Sequence, residues 1–200
     1  MKELIRDQRG FVTVLLLILI PLLLVAAVGS TETARLNSGS NIDVQGALDQ
    51  AVKAAAMCVD PSSQANGDPR IDPDKAHAQF RYYLAANLKL DSSLNPVQGS
   101  RVTETPAYTF VVVNGANDYV PEGRVYSCDG VCSENDFVVS LPQTFSVSDD
   151  IYIGSGGLRD ITVKSPTCIA LVKSRVKPVF TDRSDMTARW SASRIIVRSW

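Results

Sequence analysis

The chain has 200 residues, 45% of them hydrophobic and 20% charged, with 20 basic and 21 acidic side chains for a net charge of −1. That leaves room for one domain of ordinary size with a real core and excludes a disordered tail. The near balance of charge excludes an electrostatic footprint for nucleic acid or for general adhesion to anionic lipid.

Lys2, Arg6 and Arg9 precede an uncharged run from Phe11 to Val28, FVTVLLLILIPLLLVAAV, interrupted only by Thr13 and Pro21. As a helix rising about 1.5 Å per residue it covers about 27 Å, close to the roughly 30 Å of a bilayer's hydrocarbon core. The expectation is a single transmembrane helix over 11–29, packing through Leu15, Leu19, Pro21 and Leu22. Only Arg35 balances the three basic residues before it, so residues 1–10 are expected as a cytoplasmic leader and everything after Gly29 outside the cytoplasm. A removed signal peptide, with Ala27-Val28-Gly29 as the small-x-small site, is the alternative. The run is longer than the roughly 7 to 15 residues of a signal-peptide core, which favours retention.

Residues 30–41, STETARLNSGSN, are small and polar, and a bend is expected at Ser38-Gly39-Ser40. From Ile42 the helical period returns, with Val44, Leu48, Ala51, Val52, Ala55 and Cys58 near one face and Asp43, Asp49, Gln50 and Lys53 on the other. Its alanines make it a narrow helix, and residues 30–58 read as an extracytoplasmic helical stalk. Asp60-Pro61, Asn66-Gly67, Asp68-Pro69 and Asp72-Pro73 then make a connector in which no regular element is expected. Asp72 as N-cap and Pro73 at the first helical position open a helix to about Leu90, with Ala76, Phe80, Tyr83, Leu84 and Leu88 as its buried stripe. His77, off that stripe beside Arg81, reads as a surface histidine, and Tyr82 and Tyr83 as packing residues.

After Pro96 the pattern turns to β. Strands are expected at Tyr108 to Val113, ending at Asn114-Gly115, then at Arg124 to Ser127, Phe137 to Leu141, Thr144 to Val147, Asp160 to Lys164, Thr167 to Val176 and Thr187 to Val197. The intervals are too short for crossover helices, so the sheet is antiparallel. The whole is α+β: a transmembrane helix, an extended alanine-rich helix, then a helix and an antiparallel sheet in a head spanning 59–200.

Cys58, Cys128, Cys132 and Cys168 all fall where thiols can oxidise. Asp129-Gly130 between Cys128 and Cys132 favours a local disulfide, which leaves Cys58 to pair with Cys168. Free or metal-bound thiols are the alternative, weakened by a single histidine and a lone C-x3-C. No metal or other cofactor is expected. Catalysis has little support either, because His77 is the sole base of its kind and Asp149-Asp150 need not converge.

Arg9-Gly10-Phe11 at the cytoplasmic lip resembles a prepilin peptidase site, with the Gly10-Phe11 bond as the candidate cut. RGFVTVLLLILIP, with its proline at Pro21, resembles the N-terminus of the TadE and TadG-like proteins of tight-adherence (Flp) pilus systems, which are pilin-like. Glu32, Ala34 and Arg35 look like their acidic, small and basic residues at the outer membrane face. The stretch from Val44 to Ala56, with Gln45 and Asp49, is similar to the TadG form L-Q-x-A-x-D-x-A-x-x-A-A-A.

The likeness covers the first 58 residues. It implies a pilin-like fold and a membrane-anchored accessory subunit for pilus assembly, initiation or capping. Its implied partners are the bilayer, other pilin-like subunits, assembly-platform proteins and a prepilin peptidase. One departure bears on the role: Leu15 stands where many pilins carry glutamate at the fifth mature position, which fits an accessory or tip subunit better than a shaft subunit. The rival reading is an uncleaved signal-anchored surface module that binds a ligand and has no part in pili.

Overall fold

The computed structural model describes residues 17–23, 44–148, 158–177 and 184–195. The chain divides into two compact units, Met1–Gly39 and Ser40–Trp200. In the first, 17–23 is helical and every one of its side chains is exposed.

The second unit begins with helix α1, residues 44–56. Val44, Ala47, Leu48, Ala51, Val52, Ala55 and Ala56 are all buried, so one broad face of this helix is covered and the exposed positions are Gln50 and Lys53. The expected stripe is therefore present from Val44 on, and it lies in the core of this second unit; residues 30–43 of the expected stalk lie outside the described residues. Small side chains let the sheet come close to the helix axis. That approach is made within the chain.

Two helices follow. Asp60 caps α2, Pro61–Ala65, through its side chain to the Ser63 N–H, an element too short to leave a periodic trace in a connector expected to be irregular. Asp72 caps α3, Pro73–Leu88, with Pro73 in its first turn. Lys89 closes α3 in the left-handed region at φ 55°, slightly short of the expected end at Leu90. Burial at Ala76, Phe80, Leu84 and Leu88 follows the expected stripe, but Tyr83 is 40% exposed and does not belong to it. It stands edge-on to Tyr82 on the outer face, where Tyr82 is also exposed.

The strands are β1 Ala107–Val113, β2 Gly123–Asp129, β3 Val131–Phe137, β4 Gln143–Ser148, β5 Leu158–Val163, β6 Thr167–Val176 and β7 Asp185–Arg194. Among the described residues they form a five-stranded sheet in the order β3-β2-β1-β6-β7 and a separate β4-β5 hairpin, with every pairing antiparallel. The strand expected at Phe137 to Leu141 is displaced: Phe137 is the last residue of β3, and Val138 to Leu141 lie outside any strand.

Alternation along β1 and β6 sorts the core into two clusters. Phe110, Val112, Cys168, Ala170 and Val172 meet α1 and α3 on one face of the sheet. Val113, Ile169 and Val111 meet Phe145, Ile161 and Val163 of the β4-β5 hairpin on the other. Because β6 is covered on both faces, it is the most continuously apolar strand. Asn114, fully buried at the end of β1, ties the connector to this sheet. Its amide donates to the carbonyls of Ile71 and Pro121 and accepts from the Ile71 N–H at 2.8 Å.

Candidate functional site

The first candidate is the apolar helical run itself. Leu17, Ile18, Ile20, Leu22 and Leu23 are 51% to 68% exposed and Leu19 is 45% exposed. A helix that is apolar all round is ordinarily buried, in a large core or in a membrane. Of the expected packing residues, Leu19, Pro21 and Leu22 all lie on this exposed helix, whereas Leu15 lies outside the described residues. So do Gly10, Phe11, Glu32 and Arg35. Among the described residues no helix is long and apolar enough to cross a membrane, and only seven residues of the 11–28 run are among them.

Gln45 and Asp49, singled out by the sequence resemblance, sit on α1, one turn apart. The Gln45 amide donates to the Asp49 carboxylate at 2.9 Å and to the Trp190 carbonyl of β7 at 3.2 Å. Gln45 ties the helix to the sheet edge, and Asp49 accepts from the same amide. The sequence pattern located these residues but not their partner, which lies 145 residues away.

The second candidate is a polar cluster where α3 crosses β1 and β2, and it contradicts the reading of His77 as a surface histidine. The ring is stacked on Tyr126 with centroids 3.9 Å apart, near Phe110 at 5.9 Å, and its Nε2 is 2.8 Å from the Tyr108 hydroxyl. Burial, reinforced by the Arg81 charge and only partly offset by Asp74, pushes its pKa down to about 4, so the ring is neutral near pH 7. On the exposed flank Tyr126 donates to Asp74 at 2.9 Å, and Arg124 bridges Asp74 at 3.0 Å and Asp136 of β3. Hydrogen bonding to Asp136 holds the Arg124 guanidinium still more firmly charged and holds the Asp136 carboxyl below its usual range. The cluster clamps α3 to the β2-β3 hairpin.

Cys128 and Cys132, directly opposite each other on β2 and β3, form the expected local disulfide, with Cα atoms 4.1 Å apart. The enclosed segment is a tight hairpin in which Asp129 still pairs with Val131 and Gly130 takes φ +76°. Cys128 is buried, Cys132 is exposed, and the Cys132 sulfur is 3.9 Å from the Tyr108 hydroxyl. Cys58 and Cys168 are thiols in this structure, which corrects the expected second bridge. Both belong to the helix-side core, where burial raises their pKa values. Cys58 hydrogen-bonds the Ala54 carbonyl at the end of α1.

Among the described residues no group of three or more His, Cys, Asp or Glu is arranged to hold a metal. The His77 network offers a phenol and a disulfide sulfur rather than a serine or a facing pair of carboxylates. Its chemistry is hydrogen bonding, clamping and access to sulfur. No family model, curated protein or solved structure matches the chain.

Proposed function

We propose that the chain is a membrane-anchored, pilin-like accessory subunit of the TadE/TadG kind, which helps initiate, assemble or cap an adhesive tight-adherence pilus. The observation that carries this reading is an apolar helical run at 17–23 with every side chain exposed, set in a longer uncharged segment. Exposed aliphatic surface is stabilised by about 25 cal/mol per Å² when a partner removes it from water. Lipid tails and neighbouring apolar helices are the partners that suit a segment without charges.

The mechanism is association. Residues 11–28 pack sideways against other pilin-like helices or against platform proteins in the bilayer, and Leu15 and the aliphatic residues around it form a wholly uncharged docking surface. The α1 stripe is already occupied by the sheet, so lateral docking falls to the segment before it. The α+β head then presents its outer surface away from the membrane.

Edman or mass-spectrometric sequencing of the protein from native membranes tests this. A mature terminus at Phe11 is expected. A released protein beginning at Ser30 refutes it. Crosslinking in the same membranes is expected to retrieve pilus assembly proteins, and retrieval of none favours an anchored module unrelated to pili.

A further inference from the structure

We infer that the Cys128–Cys132 disulfide is an exchange site for an unhindered thiolate, with Cys132 as the sulfur attacked and the Tyr108–His77 pair supporting it. This inference is independent of the membrane anchor and of the pilus reading.

Three observations converge. The two sulfurs differ in access: Cys128 is buried under α3's side of the sheet, whereas Cys132 is exposed on β3, an edge strand with no partner on its outer side among the described residues. Exposed disulfides are the ones open to attack. The bridge also encloses only three residues of a hairpin whose ladder continues on either side, from Ser127 opposite Ser133 to Asp129 opposite Val131. Closing so short a loop restrains the unfolded chain least, so stability is a weak reason for placing a disulfide here.

The third observation is the hydroxyl of Tyr108, 3.9 Å from the Cys132 sulfur and 2.8 Å from His77 Nε2. With the disulfide intact, the phenol can donate to a neutral His77. When Cys132 becomes a thiolate, the same two contacts reverse: Nε2–H of the other neutral tautomer donates to the phenol oxygen, and the phenol O–H donates to sulfur. Neither Tyr108 nor His77 becomes charged in this exchange of contacts. The Arg81 guanidinium, whose positive charge reaches both Tyr108 and His77, favours the anion further, whereas Asp74 opposes it and Glu134 stands on the same face of β3.

The steps balance without an added oxidant. A thiolate attacks Cys132 Sγ, forming a mixed disulfide and breaking the Cys128–Cys132 bond, and the electron pair leaves on Cys128 Sγ, which takes a proton from water. A second thiolate attacks the outer sulfur of that mixed disulfide. It forms the external disulfide and releases the Cys132 thiolate onto the Tyr108 hydroxyl. Two thiols are oxidised and one protein disulfide is reduced.

The test uses the full chain in detergent, oxidised and then treated without denaturant in two arms, one with glutathione and one with a peptide carrying a single cysteine. Peptide mapping after acid quench is expected to find the adduct on Cys132 in preference to Cys128. Adducts with glutathione alone identify small thiols as the exchange partner, and adducts in both arms identify protein thiols as well. A disulfide that survives both arms until the chain is unfolded overturns the inference. In Cys128→Ser, where Cys132 is a lone thiol, adding Tyr108→Phe is expected to slow iodoacetamide alkylation at neutral pH about tenfold. His77→Gln, which keeps a side-chain donor, is expected to slow it less. Equal rates in all three, with unchanged near-ultraviolet circular dichroism, contradict the role given to Tyr108.

Discussion

Two apolar helical stretches of this chain meet opposite fates. In α1 the residues Val44, Ala47, Leu48, Ala51, Val52, Ala55 and Ala56 are at most 4% exposed, whereas the large aliphatic residues of 17–23 are all at least 45% exposed. The difference is composition. Alanine and valine spaced at the helical period, with Gln50 and Lys53 left for water, match one internal sheet. Leucine and isoleucine at successive positions leave no polar side, so no single face of a small domain can cover them. One stretch is covered by its own chain; the other is exposed, and under the proposed function lipid and neighbouring helices cover it.

The largest effect expected from breaking this contrast is in the head. Phe80 is fully buried and stacked on Phe110 at 4.7 Å, and Phe80→Ala is expected to cost about 3–5 kcal/mol of head stability in denaturant unfolding, with membrane retention unchanged. Leu19→Arg is the converse. It is expected to cost about 2.5–3.5 kcal/mol in membrane insertion and to shift the protein into soluble fractions, while the unfolding midpoint of the head stays the same.

His77 sharpens the contrast through pH. Its folded pKa of about 4 lies below the ordinary value of 6.5, so the unfolded chain binds the proton more tightly. The stabilisation is complete above about pH 6.5 and is lost as pH falls from there through about 4, by about 2 kcal/mol once the ring's partial exposure is discounted. His77→Gln is expected to flatten that part of a stability profile measured by urea unfolding. The smallest effect is at a helix cap: Asp72→Ala, which removes the acceptor for the Lys75 N–H, is expected to cost about 1 kcal/mol by the same measurement.

The residues that betrayed their structure did so locally. Asp72-Pro73 and the Ala76, Phe80, Leu84 spacing announced α3, and the unbroken run from Thr167 to Val176 announced β6 because both of its faces are covered. Antiparallel order followed from short intervals. What escaped was set by distant partners. β3 reads VCSENDF and its side chains are almost all exposed, so neither alternation nor β propensity marks it; pairing with β2 across the tight hairpin makes the strand. His77 is one position past Ala76 on α3, and only the aromatic wall of Tyr108, Phe110 and Tyr126, more than thirty residues on, makes that position a half-buried one. Proximity in sequence gave Cys128 and Cys132 their pairing, but elimination misassigned the other two cysteines, which the fold keeps as core thiols. Gln45 and Asp49 were legible as residues, and the anchoring of Gln45 to Trp190 was not.

The most direct test of the central claim, that the uncharged N-terminal run is a permanent docking element completed from outside the chain, is alkaline carbonate extraction of native membranes followed by intact-mass analysis. The account predicts that the protein stays in the pellet with residues 11–28 still attached. A chain recovered in the supernatant without them would contradict it.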